Sequence, residues 1–203
     1  MTETRSPAER DPTFLARLVA RDREALGRFY ELYFERIHGY VRRMVGDETL
    51  AEDVTQDVFL HLQRAIPTFD TTRELDPWVF TIATNKVRDL WRSKRHQHEG
   101  LRGQSLDDGD ADDRTREAVD ARPGPLPELE SEELRATLSA AVDALPAGLR
   151  AAFVLRWHEE LEFTDIGRIL ERNEAAARKR YSRALAELRR ILEESARTSR
   201  RGA

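Results

Sequence analysis

The sequence contains no cysteine among its 203 residues, and this absence removes several kinds of site at once. Without a thiol the chain has no disulfide, no cysteine-ligated zinc and no thiol nucleophile. No stretch approaches the roughly 18 consecutive apolar residues that a membrane-spanning helix requires. Residues 1–12 carry both arginine and glutamate and lack the apolar core of a secretion signal. We therefore expect a cytoplasmic protein with no membrane insertion.

Glycine and proline are also scarce, at 10 and 8 residues, and no polar–apolar alternation is long enough to indicate a sheet. A hydrophobic fraction of 39% beside a charged fraction of 35% is typical of a charged helical protein, so we predict an all-α fold. The five histidines are too scattered to predict a metal site, and no nucleotide-binding glycine loop or nucleophile with its base is present. We expect no catalysis and no cofactor.

The net charge of -4 is unevenly distributed along the chain. Residues 1–96 are neutral, residues 97–145 carry 5 basic and 13 acidic residues, and residues 146–203 carry 13 basic and 9 acidic residues. Between residues 97 and 130 the apolar periodicity disappears and Asp, Gly and Pro accumulate, which predicts a flexible linker. The predicted organisation is an N-terminal tail at 1–11, a helical domain at 12–96, the linker at 97–130, a second helical domain at 131–195 and a tail at 196–203.

Local signals place the helix ends within both predicted domains. Gly46 is expected to end one helix and Asp47 to cap the next. We expect Asp76 to cap a helix that starts at Pro77, and Thr164 to cap a short helix that precedes a longer basic one. The predicted helices with two assigned ends cover residues 12–20, 23–45, 132–144, 148–159 and 174–194.

Two motifs in the first half lie in a characteristic order, AEDVTQDVFL at residues 51–60 and WVFTIATN at residues 78–85, followed by a basic helix end. This succession resembles the second conserved region of sigma factors, over residues 12–96. The resemblance implies that an acidic helix binds core RNA polymerase, and that the next loop and helix bind the minus-ten element and open the promoter. The implied polymerase-binding residues are Glu52, Asp53, Gln56 and Asp57.

The chemistry of these residues fits the implied roles. Acidic and amide side chains within two helical turns can meet a basic partner helix. Asn pairs with adenine edges, and Lys and Arg neutralise phosphates. We place Trp91 in the core and leave Trp78 unassigned, because aromatic residues at helical spacing are more often core residues. The implied minus-ten contacts are Phe69, Asp70, Thr71 and Arg73 in a loop, and Asn85, Lys86, Asp89 and Arg92 on the helix.

The second half carries Leu145-Pro146, FTDIGRIL at residues 163–170 and the basic run RKRYSRAL at residues 178–185. A short helix, a brief turn and a longer basic helix form a helix-turn-helix order. This half is similar to the fourth conserved region of sigma factors, although Glu171 stands where the family usually has glycine and Ala177 where it has a β-branched residue. The implied minus-thirty-five contacts are Glu174, Ala175, Arg178, Lys179, Ser182 and Arg183.

The chain is therefore identified as a member of the extracytoplasmic-function sigma factors in their short, two-domain form. The resemblance implies core RNA polymerase and promoter DNA as partners, and an anti-sigma factor as a possible third. Two alternatives stay open at this point. A stand-alone helix-turn-helix regulator would explain residues 146–194 but not the acidic helix. A sigma-like interaction protein would bind polymerase without opening promoters.

Overall fold

The computed structural model describes residues 11–97 and 132–201. Within these ranges all regular secondary structure is α-helical or 3₁₀, and no strand occurs. The all-α prediction is thus confirmed. The chain separates into two compact units, Met1–Gln97 and His98–Ala203. The predicted linker lies almost wholly outside the described residues, so its limits stay a prediction. The helices are α1 (Pro12–Val19), α2 (Arg23–Val45), α3 (Glu48–Ala65), α4 (Leu75–Gln97), α5 (Glu132–Asp143), α6 (Ala147–Trp157), α7 (Phe163–Ile169) and α8 (Glu174–Arg201).

Short polar side chains fix where the helices of the first unit begin. Asp22 accepts a hydrogen bond from the amide of Ala25 at the start of α2, and Asp47 accepts one from Leu50 at the start of α3. Each bond satisfies an amide that has no partner inside the helix. Gly46 ends α2 in the left-handed conformation, with φ of 74°, which glycine adopts without steric cost. The predicted stop and cap are both confirmed.

The core of the first unit is built from one face of each of α2, α3 and α4, as the apolar spacing predicts. Trp91 is buried, as expected, and the unassigned Trp78 is half-buried with its ring 4.8 Å from that of Phe69. A 3₁₀ turn at Ile66–Thr68 leads from α3 into the loop before α4. The fully buried side chains of this core include Tyr33, Ile37, Val41, Met44, Val58, Leu62, Val79, Phe80, Ala83 and Val87.

Asp76 has a different role from the predicted helix cap. The helix α4 begins at Leu75, and the Asp76 side chain is only 4% exposed. The Tyr33 hydroxyl donates a short hydrogen bond to Asp76, and Arg36 donates two more at 3.2 and 3.1 Å. Both donors belong to α2, so a buried carboxylate joins the start of α4 to the middle of α2. The prediction was wrong because this tertiary contact offers stronger donors than the helix start.

The second unit places its helix-turn-helix pair, α7 and α8, against α6. Phe153 on α6 stacks with Tyr181 on α8, with ring centroids 6.1 Å apart. The short helix begins at Phe163, so the predicted cap Thr164 lies inside it. No side chain caps this helix, and the Thr164 hydroxyl donates instead to Glu174 at 3.0 Å. The capping prediction for Thr164 was therefore wrong.

Replacing Asp76 by alanine removes the acceptor of the hydrogen bonds from Tyr33 and Arg36. Since the donors stay partly or fully buried, we expect the free energy of unfolding of the first unit to fall by about 2 kcal/mol. Urea unfolding followed by tryptophan fluorescence measures this change. Every variant also carries Trp157→Phe, so that only the two tryptophans of the first unit report.

The control is Asp89→Ala on the same helix. Asp89 is exposed and makes a surface ion pair with Arg92 at 3.3 Å. Such pairs contribute little, so we expect a change below about 0.5 kcal/mol. Equal losses in Asp76→Ala and Asp89→Ala would show that the buried network does not stabilise the unit.

Candidate functional site

The predicted polymerase-binding residues lie together on the outer face of α3. Glu52 and Asp53 lie one helical turn before Gln56 and Asp57. All four project to the same side, because residues four apart are neighbours on a helix. All four side chains are exposed, whereas the intervening Val54 and Thr55 are buried. Three carboxylates and one amide therefore form a continuous acidic face. Its members are Glu52, Asp53, Gln56 and Asp57.

An apolar groove of about 250 Å³ adjoins this acidic face, between α2 and α3. Tyr30 and Leu60, at 49% and 46%, are the large apolar side chains that the described residues leave most exposed. The Tyr30 ring lies 5.1 Å from Phe34 and 4.9 Å from Phe59, so it is held in place by other aromatic rings. Gln56 lines the groove and also belongs to the acidic face. The two features thus form one surface, acidic on one side and apolar on the other, and sequence reasoning missed its apolar half.

The predicted minus-ten loop is shaped by Asp70. One carboxylate oxygen accepts hydrogen bonds from the amide and the hydroxyl of Thr72, at 3.0 and 2.7 Å. These bonds lower the pKa of Asp70, so the side chain stays ionised and holds the turn. Phe69 is buried against Trp78, which places it beneath the loop and not on its surface. Of the predicted loop contacts, Thr71 and Arg73 are exposed beside Asp70.

The predicted minus-ten residues of α4 lie on one accessible side of the helix. Asn85, Asp89 and Arg92 are exposed, and Lys86 is half-buried. The Arg92 guanidinium donates a hydrogen bond to the Asp89 carboxylate, and Arg88 donates one to the side-chain oxygen Oδ1 of Asn85 at 3.0 Å. Arg88 was not among the predicted contacts, although its spacing of three residues from Asn85 places it on the same face. The amide of Asn85 is thus oriented by a cation.

The predicted minus-thirty-five residues share one face of α8. They recur in pairs four residues apart, and each is exposed or half-buried. The opposite face is buried and includes Ala177, Tyr181, Ala184 and Leu188. Asn173 caps the helix by accepting a hydrogen bond from the Ala176 amide at 2.8 Å. The face consists of Glu174, Ala175, Arg178, Lys179, Ser182 and Arg183.

The turn between α7 and α8 keeps a left-handed residue although it lacks glycine there. Glu171 has φ of 56°, a conformation that costs a residue with a Cβ about 1–2 kcal/mol. Glycine is needed instead at Gly167, where a Cβ would lie 2.9 Å from the carbonyl oxygen of Arg172. The backbone amide of Arg172 donates a hydrogen bond to the carbonyl oxygen of Gly167 at 2.7 Å, and this bond closes the turn. The motif therefore keeps its geometry despite the departure at Glu171.

Residues of α7 hold the first charged pair of α8. Glu174 accepts hydrogen bonds from Arg178 at 2.8 Å and from Thr164 at 3.0 Å, and these bonds lower its pKa. The Arg178 guanidinium also lies over the Phe163 ring, 4.7 Å from its centroid. On the same ring lies the guanidinium of Arg156, at 5.0 Å. Phe163 and Thr164 were not predicted as site residues, since their contacts arise from the tertiary packing of two helices.

Neither a metal site nor a membrane span emerges from the described ranges. No group of three or more histidine, aspartate or glutamate side chains there is arranged to hold a metal ion. Among the same residues, no helix combines the length and the apolar character needed to cross a membrane.

Comparison with known proteins gives a consistent result for both units. Residues 29–97 match sigma-70 region 2, and residues 135–188 match sigma-70 region 4. The chain is 31% identical over 198 residues to the ECF RNA polymerase sigma factor BldN of Streptomyces coelicolor, which covers 95% of this chain and 71% of BldN. This chain belongs to the extracytoplasmic-function sigma factors. The sigma factor is also 32% identical to CarQ, an RNA polymerase sigma factor of Myxococcus xanthus, over 78% of this chain and 84% of CarQ.

Solved structures share the fold of this sigma factor. CnrH in complex with the cytosolic domain of CnrY matches 92% of this chain and 98% of its own, with a TM-score of 0.64 and 22% identity. RpoE in complex with the anti-sigma factor NepR, from Bartonella quintana, matches 82% of this chain and 96% of its own, with a TM-score of 0.61 and 20% identity. A region 2 match that spans α3 and α4 does not favour a stand-alone helix-turn-helix regulator.

The strained residue of the sigma factor's helix-turn-helix generates a stability prediction. We expect Glu171→Gly to be more stable than Glu171→Ala by about 0.5–1 kcal/mol, because glycine relieves the left-handed strain and loses part of that gain to unfolded-chain entropy. Both variants lack the glutamate side chain, so their difference isolates the Cβ. Hydrogen exchange of the α7 and α8 amides measures it. An alanine variant as stable as the glycine variant would contradict the assigned strain.

Proposed function

We propose that this sigma factor binds core RNA polymerase, directs it to specific promoters and promotes their opening. The observation that carries the proposal is an exposed acidic face on α3 together with a basic helix, α8, in helix-turn-helix order on a separate unit of the same chain. A protein that only binds duplex DNA needs the second and not the first. We place the protein in the cytoplasm. In the proposed role the sigma factor supplies no catalytic group, because the polymerase itself synthesises the RNA.

The proposed polymerase contact is the surface formed by the acidic face of α3 and the groove beside it. A basic amphipathic helix fits this surface, since its cations would meet Glu52, Asp53 and Asp57 while its apolar side chains enter between Tyr30 and Leu60. Pockets that desolvate a few apolar anchors supply much of the binding energy of such contacts. The carboxylates then set orientation and association rate.

The proposed promoter contacts divide between the two units. On the first unit, the accessible side of α4 and the loop at residues 70–73 receive the minus-ten element, where Asn85 offers an amide to a base and Lys86 and Arg92 approach phosphates. Phe69 and Trp78 support the loop from below. On the second unit, α8 enters the major groove at the minus-thirty-five element with the face that starts at Glu174.

An anti-sigma factor is the proposed regulatory partner. Such a protein would act by covering the polymerase-binding surface, whose exposed apolar groove gives a partner helix a ready place to bind. The relatives RpoE and CnrH were solved with partners bound, an anti-sigma factor for RpoE and the cytosolic domain of CnrY for CnrH. For the present chain, the surface around Tyr30 and Leu60 supports the same arrangement.

Run-off transcription with purified core polymerase and genomic promoter fragments tests the function. We expect transcripts that depend on this protein and that are lost with Asn85→Ala combined with Arg92→Ala, because both substitutions remove contacts to the minus-ten element. A matched control replaces Glu193, an exposed residue near the end of α8, by alanine. Stable polymerase binding without any transcript would indicate a sigma-like interaction protein, and no polymerase binding would overturn the proposal.

Charge reversal tests the docking surface separately. We expect Asp53→Lys combined with Asp57→Lys to weaken the affinity for core polymerase at least about tenfold, a loss of about 1.4 kcal/mol, through repulsion of a basic partner. Fluorescence anisotropy of the labelled sigma factor measures the dissociation constant. Glu35→Lys, an exposed reversal on α2, should leave it within about twofold. A loss of about half that free energy with Glu35→Lys would show that the effect is one of net charge, because this variant changes the charge half as much as the double variant does.

A further inference from the structure

The loop before α4 is fixed to the first unit at both of its ends. At the first end, Phe69 is buried with its ring 4.8 Å from that of Trp78. At the second end, Leu75 and Asp76 are buried, with exposed fractions of 1% and 4%. Residues 70–74 between these ends are exposed. The exposed part of the loop therefore keeps one direction only while both buried ends stay in place.

Two side chains of α2 hold the second end. The Tyr33 hydroxyl donates a hydrogen bond to Asp76, and the Arg36 guanidinium donates one to each carboxylate oxygen, at 3.2 and 3.1 Å. A planar guanidinium that meets both oxygens of a planar carboxylate restricts the angle between the two groups as well as their distance. The first turn of α4 is thereby fixed in orientation relative to α2.

Aromatic rings hold the two donors in place. Tyr33 is fully buried, and its ring lies 4.8 Å from that of Phe29. The Arg36 guanidinium lies over the rings of Tyr33 and Phe80, 5.0 and 5.5 Å from their centroids. Phe80 lies one turn beyond Asp76 on α4. Arg36 therefore contacts α4 at two places one turn apart, which restricts rotation of the helix as well as its position.

Hydrogen bonds inside the loop set its shape but not its direction. The Asp70 carboxylate accepts hydrogen bonds from Thr72, and the Asp70 carbonyl oxygen accepts one from the Arg73 amide at 3.0 Å. All these partners belong to the loop, so the turn can move as a unit. The direction of that unit depends on the buried ends. A loop already oriented in the free protein loses less conformational entropy when it binds.

We propose that Asp76, Tyr33 and Arg36 are positioning residues for the minus-ten contacts, because they set the direction in which the loop and the first turns of α4 meet the DNA strand. The inference rests on the proposed function, since it requires this loop to receive the minus-ten element. It goes beyond that function by assigning a role in DNA binding to a network whose central residues, Tyr33 and Asp76, are buried.

Stability alone does not require a charged network at this place. A buried ion pair recovers little of the cost of removing its charges from water, and apolar side chains of similar volume are often as stable. A carboxylate with several donors differs from an apolar contact in its direction, because its hydrogen bonds weaken steeply when the groups turn away from each other. The network at Asp76 therefore supplies orientation, which an apolar contact would supply less well.

Tyr33→Phe tests the inference, because it removes one hydroxyl from a side chain with no exposed surface and so cannot remove a contact to DNA. Holoenzyme assembled from core polymerase and the full chain is mixed with a labelled single strand from the minus-ten region of a promoter that run-off transcription identifies. By fluorescence anisotropy, we expect the affinity for this strand to fall about fivefold. The affinity of the sigma factor for core polymerase should stay within about twofold, because the docking surface is distant from the substitution.

Ile37→Val is the matched control for stability. Ile37 is also fully buried on α2, and the loss of one methyl group destabilises the same core without removing a donor to Asp76. We expect this variant to bind the strand as tightly as the unmodified protein does. Equal losses of strand affinity in Tyr33→Phe and Ile37→Val would overturn the inference, because the network would then act only through the stability of the unit.

Arg36 provides a second readout. We expect Arg36→Gln to lower the strand affinity as Tyr33→Phe does, and Arg36→Lys, which keeps a cation beside Asp76, to recover most of it. A lost phosphate contact would reduce the salt dependence of binding by about one unit, whereas a lost orientation leaves it unchanged. A reduced salt dependence with Arg36→Gln, together with full affinity for Tyr33→Phe, would show direct contact by Arg36 and would overturn the inference.

The unmodified protein separates this inference from the proposed function. If it gives no run-off transcript with core polymerase, the proposed function fails and the inference fails with it. If its holoenzyme transcribes and binds the strand, and Tyr33→Phe binds that strand equally well, only the inference fails. A loss of strand affinity in Tyr33→Phe that Ile37→Val does not show supports both.

Discussion

The first unit depends on one buried carboxylate. Asp76 lies in the first turn of α4 and receives hydrogen bonds from Tyr33 and Arg36 in the middle of α2, so two helices far apart in sequence are joined at the point where the preceding loop ends. A buried charge is tolerated only when donors surround it, and here a guanidinium and a phenol do so. The loop turn at Asp70 and the accessible side of α4 both extend from this point. The proposed promoter contacts and the stability of the core therefore depend on the same buried carboxylate.

Charged residues on the exposed faces of α4 and α8 form pairs with neighbouring side chains. Arg88 orients Asn85, Arg92 reaches Asp89, and Arg178 meets Glu174. Each pair is worth little to stability because it is exposed. Each bond restricts side-chain rotation, and the Arg92–Asp89 and Arg178–Glu174 pairs also bring opposite charges together.

The sequence correctly predicted those features that depend on residues close together along the chain. The cap at Asp47, the stop at Gly46 and the buried stripes of α2 to α4 follow from spacing and from helix-end chemistry, and all are present. Asp76 and Thr164 were misassigned for one reason, since each has a tertiary partner that outcompetes the helix end. Phe69 illustrates the same limit, because nothing in its sequence neighbourhood shows that Trp78 covers it. The apolar groove and the ring beneath Arg178 require two helices to be placed together, which periodicity within one helix does not reveal.

The departures of the helix-turn-helix from the family pattern bear on whether the second unit reads DNA. Glu171 takes the left-handed conformation that a glycine would take, and Ala177 is fully buried at the position of the usual β-branched anchor. The turn survives because Gly167 permits the close approach that closes it, while Asn173 caps the next helix. The strain at Glu171 is thus offset by neighbours and leaves the exposed face of α8 intact. A sigma-like interaction protein that no longer binds DNA would not require this face to be continuous, nor its first charged pair to be ordered by Phe163 and Thr164. The geometry therefore supports the proposed entry of α8 into the major groove.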